Sequence, residues 1–391
     1  VCRVLTTSAI RSPSVSRTDW LLLLAVAVAL LLVIGFAVAL LRRRSAQGSG
    51  GRHRPHRDSF RPEDAPPPAL KRAAVVVNPT KFSDLADLEA RLTAACLAHG
   101  WAEPTFHHTT AEDPGTGQAA QAVADGADVV CALGGDGTVR AVAQALAGTR
   151  TAMGLLPSGT GNLLARNMGL PLTSLEDAVA IALTGRNERV DVGRLTVDLV
   201  TTEGDHHEDR DFVFLVMAGM GFDAAIMGAS SEELKAKVGW PAYVVGGLRN
   251  LRGDRFRATV TIGPEGHEEV VDTRARTIVV GNCGRIMGGI TLMPEARIDD
   301  GLLDGLILSP ATIAGWVAVT SRLLRQATTR NERVLHRAAT RFVLRPDRPQ
   351  EVQLDGDGIG PVHAMTAEVW PKALIVRMPV GQALPDLSDD A

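Results

Sequence analysis

Leu133-Gly134-Gly135-Asp136-Gly137-Thr138 and Leu156-Pro157-Ser158-Gly159-Thr160-Gly161-Asn162 are the two stretches that decide how this chain is read. Each glycine-rich turn follows an apolar run, residues 128–133 in the first case and 152–156 in the second. Glycine lets a backbone come close to a ligand and present its N–H groups. Turns of this kind form anion-binding nests, above all where a helix begins. Two of them on neighbouring strand ends predict a nucleotide polyphosphate site with a carboxylate and hydroxyls built in.

Working outward, the pattern alternates between apolar runs and helical spacing. Residues 73–77 read as a buried strand that ends at Asn78-Pro79. Residues 85–99 read as a helix with Leu85, Leu88, Leu92 and Cys96 on one face. Strands follow at 105–110, 128–133 and 152–156, and helices at 118–124, 139–147 and from 162 to 167. This rhythm predicts a parallel sheet covered by helices, with ligands at the carboxyl ends of its strands. Beyond about residue 187 short β-rich runs take over: 190–200, 212–216, 256–262, 277–280, 302–308, 342–344, 352–354 and 374–378. Helical insertions are expected near 232–251 and 311–326. The second part therefore reads as a mainly antiparallel β domain.

The net charge of −3 conceals an asymmetry. Residues 1–72 hold twelve Lys and Arg against four Asp and Glu, whereas the remainder holds 29 against 40. An acidic body is a poor nucleic-acid binder, so no nucleic-acid partner is expected. The basic charge flanks residues 20–41, which are 22 residues without a charge. As a helix they reach about 33 Å, enough for a hydrocarbon core of roughly 30 Å. Arg42-Arg43-Arg44 follows at once. The expectation is a single-pass cell-membrane protein whose catalytic body is cytoplasmic. Residues 1–19 would precede the span, and 42–72, rich in Arg, Gly, Ser and Pro, would form a flexible linker. The four cysteines (Cys2, Cys96, Cys131, Cys283) show neither metal nor redox spacing, which fits a reduced body with Cys131 as a small core residue.

The first glycine turn lacks the Gly-Lys-Thr ending of a Walker A loop. Asp136, between two glycines at a helix start, is suited to hold Mg²⁺ through water or to orient a hydroxyl. Thr138 is suited to cap that helix or to bond a phosphate. With the second motif added, the chain resembles the diacylglycerol kinase catalytic-domain family, which includes sphingosine kinases, ceramide kinases and bacterial lipid kinases. Gly-Gly-Asp-Gly-Thr, Pro-x-Gly-Thr-x-Asn and the opening Asn78-Pro79 match its pattern, and Thr109-Thr110 resembles its nucleotide-contacting threonine position. Ala218-Gly219-Met220-Gly221-Phe222-Asp223 looks like its Gly-Phe-Asp segment. The stretch from Pro294 to Asp304 resembles its Pro-x-Ala-x-x-Asp-Asp-Gly-x-Leu-Asp signature. The resemblance covers about residues 73–380.

That resemblance implies an ATP-dependent lipid kinase with two domains, 73–186 for nucleotide and 187–380 for lipid, the last strands returning to the first domain and 381–391 forming a tail. It implies ATP contacts at Asn78, Thr110, Gly134, Gly135, Asp136, Gly137, Thr138, Ser158, Gly159, Thr160 and Asn162. It implies structural Mg²⁺ at the Asp300 carboxylate with the carbonyls of Arg297 and Leu302. It makes the last acid of Asp355-Gly356-Asp357 the general base, with Asp136 beside it in catalysis, while Asp355 shapes the turn by bonding N–H groups two residues on. The chain departs from the family twice. Asp357 stands where the family has Glu, and Arg140-Ala141 stands where bacterial members usually have Asn-Glu. Arg140 is read as a solvated helix residue in preference to a charge near the phosphates. The expected acceptor is a membrane lipid, diacylglycerol first, with a sphingoid base as alternative; a homodimer is left open. The rival readings are an NAD kinase-like enzyme, which shares Gly-Gly-Asp-Gly-Thr, and a non-catalytic lipid- or nucleotide-binding protein at the membrane.

Overall fold

Four parallel strands form the frame on which both glycine turns hang. In the computed structural model, residues 69–172, 174–200, 207–221, 255–286, 291–309 and 334–385 are described. Strands β1 (Ala73–Val77), β2 (Thr105–His108), β3 (Val129–Gly134) and β4 (Ala152–Pro157) pair in the order β2-β1-β3-β4, all parallel. Helices α1 (Leu85–Ala98), α2 (Thr116–Ala124) and α3 (Asp136–Leu146) supply the crossovers. Both faces of this sheet are covered, so its strands are apolar throughout rather than alternating. Val75, Val77, Cys131 and Leu133 pack toward Leu88, Leu92 and Cys96 of α1. Ala74, Val76, Val130 and Ala132 pack toward Val142, Ala143 and Leu146 of α3. Cys131 is buried, and burial pushes its thiol up to about 12, as befits a packing residue.

After β4 come the short helix α4 (Leu163–Asn167) and then α5 (Leu175–Thr184). The sequence reading did not place α5. Its signal is the cap: the Ser174 hydroxyl accepts the Asp177 N–H at 3.1 Å.

The rest is antiparallel β. Strand β5 (Arg186–Val200) runs beside the whole length of the last strand, β15 (Asp357–Met378), and β6 (His207–Phe214) pairs with β5. Strands β14 (Gln350–Leu354), β7 (Met217–Met220), β10 (Thr277–Gly281), β11 (Leu303–Leu308) and β12 (Val334–Ala339) extend the sheet from β15. Strands β8 (Phe256–Ile262), β9 (Glu269–Ala275) and β13 (Arg341–Pro346) form a further layer on β15. Phe214, Phe256, Phe342, Leu195 and Met220 fill the core between them. The chain is thus α/β, with a parallel sheet core and a second, antiparallel β domain. Strand β15 joins the two: its hairpin end lies with β14 in the β domain, and Val376 near its far end pairs in parallel with Met153 of β4.

Three expectations change or fall outside this description. The expected span 20–41, its flanks 1–19 and 42–68, the helical insertions at 232–251 and 311–326, and Phe222-Asp223 lie outside the described residues. The single-pass membrane assignment is corrected: among the described residues no helix is long and apolar enough to cross a membrane. The expected strand at 374–378 is the tail of a 22-residue strand. Breaks in its pairing near Val362 and Trp370, and a left-handed Lys372 (φ 52°), hide its continuity from a periodicity reading.

Candidate active site

Strand β3 ends at Gly134 and α3 starts at Asp136, so the first turn is as tight as a strand-to-helix connection allows. The start of α3 has no side-chain cap, so Thr138 is not the cap. Thr138 is instead buried against Gly134, whose Cβ, if present, would stand 2.6 Å from the threonine side chain. An uncapped helix start leaves first-turn N–H groups for a ligand.

The second turn packs on the first. Ser158 N–H donates to the Gly134 carbonyl at 3.2 Å. A Cβ on Gly159 would lie 2.9 Å from the Gly135 Cα, so glycine is what permits the approach. Asn162, buried and left-handed (φ 48°), closes this turn on itself. Its Oδ1 accepts the Gly159 N–H at 3.1 Å and its Nδ2 donates to the Gly159 carbonyl at 2.7 Å. Asn162 therefore shapes the turn. Thr160 is exposed beside it, and the Ser158 hydroxyl is buried without a hydrogen-bond partner. A buried hydroxyl left unpaired at a glycine turn is the observation here that fits a missing phosphate.

Asn78 and Thr110 lie at the ends of the neighbouring strands. The Asn78 side chain accepts from the N–H and hydroxyl of Thr80, and its own N–H donates to Leu133. Thr110 is exposed and its hydroxyl accepts the Asp113 N–H at 3.1 Å. Both side chains thus hold local turns at the edge of the site.

Three carboxylates converge on the first turn. Asp136 Oδ1 accepts the Leu163 N–H at 2.6 Å, bridging the two glycine segments. Burial raises its pKa to about 6, helped by the nearby charges of Asp355 and Asp357 and opposed by backbone N–H donors. Asp355, in the left-handed turn between β14 and β15, is buried. It accepts the N–H groups of Leu215, Val216 and Met217, each at 2.9 Å. This corrects the expectation that it bonds two residues on: it fastens the distant β6–β7 link. Desolvation raises its pKa, and those three donors and then Arg140 pull it back.

Asp357 is exposed, its side chain 53% accessible, and lies over α3. A Cβ on Gly137 would be 3.0 Å from its Oδ2. Arg140 Nη2 donates to that same oxygen at 2.9 Å. The reading of Arg140 as a solvated residue is therefore corrected: its side chain is only 16% exposed and is paired across the site.

The expected metal loop lies apart from these groups. Asp300 is exposed and its Oδ1 accepts the Leu302 N–H at 2.9 Å, while Arg297 reaches Asp299 at 3.6 Å. Partial loss of water, then crowding by Asp304, Asp191 and Asp299, raises the Asp300 pKa against the Leu302 N–H, and a hard cation would relieve that crowding. Among the described residues no group of three or more His, Cys, Asp and Glu is arranged to hold a metal. The donor set available is one carboxylate with backbone oxygens, which suits a hydrated Mg²⁺. What fixes this loop is a residue that sequence reading missed, the fully buried Asp191 on β5. Its two oxygens accept the N–H groups of Gly301 at 2.6 Å and Lys372 at 2.7 Å. An Asp between Val190 and Val192, at the start of the buried run of β5, was the available signal.

Paired glycine turns on a parallel sheet, faced by acids from an antiparallel β domain, define a two-domain kinase class. Comparisons with known proteins narrow it. The diacylglycerol kinase catalytic domain matches residues 72–195, and the YegS C-terminal NAD kinase beta sandwich-like domain matches residues 216–378. A protein described as "Probable lipid kinase YegS-like" from Pseudomonas putida is 32% identical over 269 residues, covering 68% of this chain and 82% of that one. Another so described, from Yersinia pestis, is 30% identical over 254 residues, covering 64% and 78%. A solved structure of a diacylglycerol kinase from Bacillus anthracis shares the fold, with TM-score 0.61 and 21% identity over 80% of this chain and 98% of that one. The chain belongs to the diacylglycerol kinase catalytic-domain family, and within it to the YegS-like lipid kinases. Kinase membership carries ATP with it as phosphoryl donor.

Proposed function

We propose that the chain transfers the γ-phosphoryl group of ATP to the primary hydroxyl of a membrane lipid, diacylglycerol first, giving phosphatidic acid. The observation that carries this reading is the placement of Asp357. An exposed acid from the β domain stands against Gly137, in the turn where an anion would be held. N–H groups of the two glycine turns, with the Ser158 hydroxyl, would cradle the phosphates, and Thr160 and Asn78 would border them. Asp357 would accept the acceptor's hydroxyl proton as the new oxygen–phosphorus bond forms and the bond to the ADP oxygen breaks. Bound Mg²⁺ would compensate phosphate charge, and Asp136 would hold it through water; a second ion at Asp300, Arg297 and Leu302 would steady that loop. Catalysis of this kind is mostly positioning and electrostatics.

A screen with radiolabelled ATP over a total lipid extract, with products identified by mass spectrometry, tests the reading. Labelled phosphatidic acid is the expected product. Labelling of a sphingoid base would move the acceptor, and labelling of NAD instead of any lipid would overturn the proposal.

A further inference from the structure

Arg140 sits one helical turn after Asp136 on α3, with its guanidinium mostly withdrawn from water. A buried guanidinium costs stability unless its donors are used. Its Nη2 reaches Asp357 Oδ2, yet its Nε is buried with no hydrogen-bond partner. The contact also has a direction. Arg140 donates to Oδ2, the oxygen that lies toward Gly137, and among the described residues no hydrogen bond reaches Oδ1. One carboxylate oxygen is held and the other is presented.

We infer that Arg140 is a positioning residue: it clamps Asp357 by one oxygen and so aims the other at the acceptor hydroxyl. It also places one positive charge among Asp136, Asp355 and Asp357, the three acids that crowd the turn. The contact joins α3 to the start of β15, residues 217 apart in the chain, so it sets the acid's register over the glycine turn. This inference rests on the reading of Asp357 as proton acceptor. A planar guanidinium fixes a carboxylate better than an ammonium does, which makes Arg140 more than a source of charge.

Steady-state kinetics of the purified full chain on detergent-dispersed diacylglycerol test it. Arg140→Ala should lower kcat about 10- to 100-fold, the cost of a loosened reacting group. The KM for ATP should stay within about threefold of wild type. Arg140→Lys should recover part of the loss, and Arg140→Gln less. Arg140→Ala combined with Asp357→Asn should be no slower than Asp357→Asn alone, because the arginine acts through the acid. Melting temperatures identify any variant that fails to fold; if Ala does, the Lys and Gln variants carry the comparison. Unchanged kcat in folded Arg140 variants, a loss confined to the KM for ATP, or additive losses in the double variant would each overturn the inference. Those results leave the reading of Asp357 intact so long as Asp357→Asn itself is slow. An Asp357→Asn enzyme at full rate would remove that reading and this inference together.

Discussion

Asp355 and Asp357 stand two residues apart across Gly356, and the chain uses them in opposite ways. Asp355 is buried, and both its oxygens are spent on three backbone N–H groups of the β6–β7 link. Asp357 is half exposed, and one oxygen is held by a single arginine. A carboxylate whose acceptor sites are consumed by backbone donors is structural. One whose second oxygen takes no hydrogen bond among the described residues, above a glycine turn, is available for chemistry. The same three-residue turn therefore divides its acids between holding the β domain together and facing the glycine turn.

Outside Asp355 and Asp357 themselves, the largest effect expected is at Asp136. In the ligand-free protein its pKa of about 6 lies above the ordinary value of 3.8. The folded state thus binds its proton more tightly than the unfolded state does. Through this group stability is greatest at low pH and falls as pH rises from about 4 through about 6. Asp136→Asn should remove that fall and be more stable than wild type at pH 8, by on the order of 1–3 kcal/mol, with the difference vanishing near pH 4. The same variant should lose about 10²–10³ in kcat. A folded variant that keeps its rate would remove Asp136 from the machinery.

Within the pair, Asp355→Asn comes next. The amide replaces an acceptor with a donor, leaving a buried N–H opposed, at a cost of about 3 kcal/mol. Thermal melting should show a drop of roughly 5–10 °C. Unchanged melting would deny Asp355 its structural part.

The smallest effect is at Gly137. Alanine suits its helical backbone, but the new Cβ would stand 3.0 Å from Asp357 Oδ2, so the carboxylate must give way by a few tenths of an ångström. Melting should be unchanged or slightly higher, while kcat falls about 3- to 10-fold. Equal loss in an Asp357→Asn background would show that the methyl acts on something other than the acid.

Much of this was legible in the sequence, for identifiable reasons. The parallel strands announce themselves as short apolar runs because both faces of that sheet are buried. The glycine turns stand out because close backbone approach, as between Gly159 and Gly135, admits no side chain. What stayed hidden depends on long-range pairing. No local pattern shows that Arg140 meets Asp357, that Asp355 reaches Leu215–Met217, or that Asp191 ties Gly301 to Lys372. Strand β15 was hidden for a different reason, since its bulges break the period that would reveal it.

The most direct test of the division between the two acids is the kcat of folded Asp357→Asn on diacylglycerol, read beside folded Asp355→Asn. The account predicts that Asp357→Asn loses about 10²–10⁴ in kcat with its melting temperature and its KM for ATP nearly unchanged, while Asp355→Asn loses stability first. An Asp357→Asn enzyme that turns over at near the wild-type rate, beside an Asp355→Asn enzyme that melts normally and does not, would contradict it.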